Sequence, residues 1–200
     1  MKLDIVNIND VIAGRVRELR IAKGWSLDAL AERSKVSRSN ISLIERAESS
    51  PTAAVLDKLA TAMNVTVASL FAQSSKDIAE PSPLSRAADQ AEWADPASGY
   101  VRRNLSPTMY SPIQLVDVHF PAGGRVTYDG GARDSDIHQQ VWVITGSMEM
   151  TVGANHWILE AGDCLAMKLD SPIGFFNPTD KPARYVVALT TPADYDNRSA

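Results

Sequence analysis

The chain has 200 residues, with 20 Lys and Arg against 24 Asp and Glu, a net charge of −4 and one cysteine. That length suffices for two small domains, while a lone Cys164 excludes an intramolecular disulfide and reads as a small buried hydrophobe. No run of about eighteen apolar residues suggests a membrane span, and no charged start leads into an apolar run, so the expectation is a soluble, cytoplasmic protein with no membrane partner.

In chain order, Asn9 or Asp10 can cap a first helix to about residue 23, with Ile12, Val16 and Leu19 at helical spacing and Gly24 at its end. Ser26 caps a second helix to about residue 33, carrying Leu27, Leu30 and Ala31 on one face and Asp28 in its first turn. Ser34, Lys35 and Val36 break the period, and Ser37 caps a third helix to about residue 46. There Ile41 and Ile44 point inward, leaving Arg38, Ser39, Ser42 and Leu43 facing out. A three-residue turn between two short helices, with small Ala31 at the crossing, suits the near-perpendicular packing of a DNA-binding pair. An outward face of short polar groups plus one Arg suits base edges, and Ser37 offers a hydroxyl at a helix N-terminus to a phosphate. Thr52 caps a fourth helix burying Val55, Leu56, Leu59 and Met63, and residues 66–71 read as a short fifth.

Over about residues 10–72, the stretches RVRELRIAKGWSLDALAE, VSRSNISLIERAESSPT and LDKLATAMNVTVASLF resemble the lambda-repressor-like, or Xre-type, helix-turn-helix regulators. The resemblance implies an all-α five-helix DNA-binding domain and an internal ion pair between Arg20 and Glu45. It also implies base contacts from Arg38, Ser39, Ser42 and Leu43, the last against a thymine methyl, with Asn40 a further candidate and Ser37 a phosphate contact. Ser26 completes the set of DNA-contact candidates. One departure is Lys35, where the family often has Gly; a left-handed Lys costs about 1 kcal/mol.

Residues 1–72 carry a net +2 and residues 73–200 a net −6. A mildly basic helical half implies few phosphate contacts per protomer, so tight binding requires two copies on one duplex. Residues 73–92, rich in Ser, Pro and charge, read as a linker. Strand-like alternation follows at 113–120, 139–144, 148–152, 156–159, 164–169 and 184–190, separated by Gly, Pro, Asp and Asn, which predicts a sandwich or barrel.

QQVWVITGSMEMTV and EAGDCLAMKLDSPIGFFNPTDKPARYVVAL resemble the two motif regions of the cupin family, with Gly146, Gly162, Asp163 and Asn177 at the matching turns. The resemblance covers about residues 95–192 and implies an all-β cupin barrel, a double-stranded β-helix or jelly roll, over 93–200. Metal-binding cupins supply His-x-His and a Glu from the first motif and one His from the second. The two glycines put Arg133, Ser135, Gln139 and Ile173 at those places, a set that implies no metal and no cofactor. A gap in the 130–137 loop would shift Asp134, Asp136 or His138 into register. His119, His138 and His156 lie on separate predicted strands and read as structural, and no Ser, His and acid arrangement gives a catalytic residue.

A metal-free barrel can still hold a ligand. Alternation puts Gln139, Val141 and Val143 on one face and Leu165 with Met167 on another, with Arg133, Ser135 and Gln139 as polar contacts at the mouth. Such a pocket suits an amino acid or organic acid whose carboxylate pairs with Arg133; the alternative is a filled core with Arg133 solvated. Trp142, Trp157, Met148 and Met150 read as core or dimer interface. Together the halves resemble Xre-type regulators with a C-terminal cupin domain. That implies a sequence-specific transcription regulator, by default a repressor, binding a palindromic double-stranded operator as a homodimer, with the barrel for dimerisation and metabolite sensing. A metal-dependent cupin enzyme with a DNA-binding appendage and an effector-free structural barrel remain as alternatives.

Overall fold

The computed structural model describes residues 7–72, 81–130 and 137–190. Four α-helices come first: α1 (Ile8–Ala22), α2 (Leu27–Ser34), α3 (Arg38–Glu45) and α4 (Ala53–Ala62). Each starts at a side-chain cap of the kind polar residues give when their backbone is extended. Ser26 accepts from the Ala29 N–H, Ser37 from Asn40 and Thr52 from Val55. The first helix begins earlier than Asn9 or Asp10: Asn7 is its cap and accepts from the Asn9 N–H, which lets the turn start at Ile8. Lys35 ends α2 in the left-handed region at φ 58°.

The expected fifth helix is instead a single 3-10 turn, Ala68–Phe71. The Thr66 side chain accepts from the Ser69 N–H while the Ser69 hydroxyl donates back to the Thr66 carbonyl at 2.6 Å, and this reciprocal pair closes the turn tightly. By Ala72 the backbone is extended again, leaving four residues, a length at which 3-10 geometry is usual.

Ten strands follow. A six-stranded antiparallel sheet has the order β1 (Glu92–Ala94), β2 (Val101–Asn104), β3 (Ile113–Phe120), β10 (Ala183–Thr190), β5 (His138–Thr145) and β8 (Cys164–Lys168). The second sheet, of four strands, runs β4 (Arg125–Tyr128), β9 (Ile173–Phe176), β6 (Ser147–Val152) and β7 (Asn155–Glu160). The expectation of a barrel is corrected here. No strand pairing joins the two sheets among the described residues, so they meet through side chains as a double-sheet sandwich with free edges. The positive φ of Gly146, 81°, turns β5 into β6 and so passes the chain from one sheet to the other.

Register places Trp93, Arg102, Val118, Tyr185 and Val143 in one row across the large sheet. All five are buried, so this row faces the sandwich core. Its core continues into the helices: Phe71 meets Trp93 edge to face with ring centroids 5.4 Å apart, and Trp93 meets Tyr100 at 5.8 Å. Polar groups bind the same junction. The Asp95 carboxylate accepts the Ala53 N–H at the start of α4 at 3.0 Å, and Asp57 on α4 accepts the Asp129 N–H at 3.2 Å.

Candidate functional site

The third helix stands out from the surface of the helical unit because Ile41 and Ile44 anchor it from below. Arg20 on α1 reaches Glu45 at its far end through two hydrogen bonds of 2.6 and 2.7 Å and also donates to the Trp25 carbonyl. The hydrogen bonds to Glu45 hold the Arg20 guanidinium above its ordinary pKa. This pair fixes α3 against α1 and the turn.

Arg38, Ser39 and Leu43 are exposed on the free face, with Asn40 and Ser42 half-buried beside them. Arg38 is held by Asp28 of α2 at 3.1 Å, and the Ser37 and Ser39 hydroxyls lie 3.2 Å apart. Ser26 is exposed one helix earlier, and its hydroxyl is engaged as the α2 cap. Ser42 accepts from Arg46 at 3.1 Å. Arg46 and Arg17 flank a cleft that also includes Arg20, Ser42 and Glu45, bringing two more cations beside the free face. The sequence reading missed them, although Arg46, four residues after Ser42, was visible as an i,i+4 neighbour.

A second feature is a cavity of about 90 Å³ between the sheets, closed on one side by Thr66, Val67 and Ala68 of the helical unit. Val118, Val187, Leu189, Ile173 and Phe175 contribute apolar surface to its wall. Gln139, Val141 and Val143 share the inner face as expected, but register joins Leu165 to Val141 and Met167 to Gln139, so all five share one face. Of the expected polar contacts, Gln139 lines the cavity, while Arg133 and Ser135 lie outside the described residues. Arg102, Tyr100 and Tyr128 line it as well, and sequence reading missed all three. The Tyr100 and Tyr128 hydroxyls are 3.0 Å apart. Burial pushes the phenols of Tyr128 and Tyr185 well above their ordinary pKa and raises Tyr100, so all three hydroxyls stay protonated at neutral pH.

His119, His138 and His156 sit on β3, β5 and β7. Among the described residues no three His, Cys, Asp or Glu side chains gather as a metal cluster. Ile173, at the expected second-motif position, is buried in the core. Met148 and Met150 are buried, whereas Trp142 and Trp157 are exposed. Cys164, expected to be buried, is exposed, because β8 is an edge strand and its side chain points to the outer face beside Trp142.

The class this geometry defines is a helix-turn-helix unit built onto a double-sheet β unit. Residues 16–70 match the helix-turn-helix family model. Over 167 residues the chain is 29% identical to the HTH-type transcriptional regulator SutR of Escherichia coli strain K12, covering 82% of this chain and 85% of that protein. The fold is shared with the crystal structure of an HTH_3 family transcriptional regulator from Vibrio cholerae, with a TM-score of 0.70 at 22% identity over 92% of this chain and 97% of the other. Among the described residues no helix is long and apolar enough to cross a membrane.

Proposed function

We propose that this protein is a cytoplasmic, sequence-specific DNA-binding transcription regulator that acts as a homodimer. Its helical domain spans 1–72, a linker 73–92, and its β domain 93–200 provides dimerisation and binds a small-molecule effector. The observation that carries the reading is α3 itself: a capped helix held at its far end by the Arg20–Glu45 pair, with Arg38, Ser39, Ser42 and Leu43 on its free side. The helix reads base edges through Arg38, Ser39, Asn40, Ser42 and Leu43, while Ser37 and Ser26 cap helix N-termini facing the phosphates. Arg38 leaves Asp28 on binding, at little cost because both side chains are mostly exposed. Two copies on a symmetric dimer meet major grooves about 34 Å apart, which calls for a palindromic operator, and blocking a promoter makes repression the default outcome. The chain works by binding and is not an enzyme, a reading supported by its similarity to a named regulator across most of both lengths.

Pairing is supported by the outer face of the large sheet, where Ile113, Leu115 and Trp142 are exposed. The test is selection of duplexes from a random pool by the full chain, followed by gel-shift titration of the selected duplex. A palindromic consensus is expected, and Arg38→Ala should weaken binding by about 1–3 kcal/mol and relax one base position. Equal weakening on random DNA would reduce Arg38 to a phosphate contact, and a pool with no enriched sequence would refute the regulator reading.

A further inference from the structure

Arg102 is the least expected residue in the β unit. It sits second in the inner row of the large sheet, between Trp93 and Val118, is only 7% exposed, and lines the cavity. Its guanidinium stacks over Phe71 with 4.1 Å to the ring centroid, so one face is covered by the helical unit. Among the described residues, no carboxylate and no carbonyl accepts from it. A buried guanidinium has five N–H donors to satisfy, and a cation–π contact satisfies none of them. The half-buried Arg20, by contrast, is answered by Glu45 and a carbonyl.

A second polar group, Gln139, lines the same cavity. The side-chain contact of its amide is the Met167 sulfur at 3.9 Å, a weak acceptor. Tyr100 and Tyr128 add protonated hydroxyls, and Arg102 acts electrostatically on both. The remaining wall is mostly aliphatic and aromatic, with Thr66, Ser171 and Asp57 as its other polar side chains, the Asp57 carboxylate accepting the Asp129 N–H. A cavity that offers a guanidinium and a largely apolar wall is complementary to an anionic headgroup with a short hydrocarbon tail.

We propose that this cavity binds a compact organic carboxylate, its carboxylate held by Arg102 and its apolar body by Val187 and Leu189, and that the bound molecule bears on the DNA-binding unit through Thr66, Val67 and Ala68. The last step rests on the regulator reading above. Those three residues follow α4, so the cavity wall and the recognition helix belong to one packed unit. A ligand that binds better in one placement of that wall shifts the population of placements, and with it the presentation of α3.

The test uses the full chain and three probes, isobutyrate, hexanoate and benzoate, each beside its primary amide, with binding read by calorimetry and thermal melting. At least one acid should bind, with its amide roughly tenfold weaker or more because the amide lacks the charge that answers Arg102. Arg102→Gln should weaken the acid by a similar factor. Since that variant also loses the stacking on Phe71 and can fail to fold, Val187→Phe provides an independent probe: it fills the cavity, leaves Arg102 intact and should abolish acid binding. Three acids silent up to about 10 mM, an amide binding as well as its acid, or undiminished acid binding by Val187→Phe would each overturn the site. On the selected duplex, a saturating acid should change Kd roughly threefold or more; an unchanged Kd overturns the coupling while leaving the pocket. A chain that binds no duplex refutes the regulator reading and the coupling with it, and the contrast of acid with amide still decides the pocket.

Discussion

Replacing Glu45 with Ala removes one side of the ion pair that joins α1 to α3. The two hydrogen bonds, 2.6 and 2.7 Å, use both carboxylate oxygens, and the side chains of Arg20 and Glu45 are only 13% and 8% exposed. Without Glu45 the Arg20 guanidinium keeps the Trp25 carbonyl at 2.8 Å and nothing else from the pair. Stranding a buried charge costs about 3–5 kcal/mol, and the residual exposure of Arg20 places this case near 3. For two units that melt together as one body of 200 residues, the melting temperature should fall by about 6–12 °C. Circular dichroism at a helix-sensitive wavelength follows the melt. The double variant Arg20→Met with Glu45→Leu should recover most of the loss, since no charge is then stranded. A single variant losing under about 1 kcal/mol, or a double variant no better than the single, would refute the argument that desolvation dominates here.

Two further outcomes follow from the β unit. Asp117 is buried, which by itself would raise its pKa, but hydrogen bonds from Arg184 at 2.8 Å and Arg103 at 2.7 Å outweigh burial and hold it below the ordinary value. A depressed carboxylate contributes stability above its unfolded pKa of about 4 and loses it as pH falls through the lower folded value, so acid melting should begin below about pH 4 and Asp117→Asn should flatten that limb; an unaltered limb would refute the assignment. Trp142→Lys, on the outer face of the large sheet, should shift sedimentation from dimer to monomer with the melting of each protomer little changed; an unshifted dimer would move the interface elsewhere.

The helical unit is largely legible in the sequence because each helix carries local punctuation: Ser26, Ser37 and Thr52 cap, Lys35 turns left-handed, and the apolar spacing has one period. Asn7 is missed because Asn7, Asn9 and Asp10 are all able caps, and only the backbone of Asn7 decides among them. In the β unit the long alternating strands are visible, whereas β1, β2, β4 and β9 are three or four residues long. A period of two cannot be recognised over so short a run, and β2 reads Val, Arg, Arg, Asn. For the same reason Arg102 is invisible as a site residue. An Arg in a polar stretch reads as solvated until Phe71, about thirty residues earlier, is laid over it. Cys164 fails in the opposite sense: an apolar run reads as buried, but strand order makes β8 an edge.

The junction between the two units is where pocket and recognition helix either form one body or do not, and Asp95 tests this. Its carboxylate accepts the Ala53 N–H at the start of α4, the Ser98 N–H at 3.0 Å and the Ser98 hydroxyl at 2.6 Å, at a site only 3% exposed. A carboxylate at a helix N-terminus also opposes the positive end of the helix dipole. Asp95→Ala leaves those donors unanswered and should cost about 2–3 kcal/mol, since the lost bonds are charge-assisted and buried. Where the loss appears matters more than its size. Helical dichroism and the near-ultraviolet signal of the aromatic row around Trp93 should melt together in the unaltered chain, because Phe71, Trp93 and Tyr100 form one continuous stack across the junction. In Asp95→Ala the helical signal should be lost first and the aromatic signal later, since the start of α4 has lost its tie and only Asp57 still binds that helix to the Asp129 N–H, while the sandwich keeps its own core. If the two signals already separate in the unaltered chain, the junction is too weak to carry a ligand's effect from the cavity wall to α3.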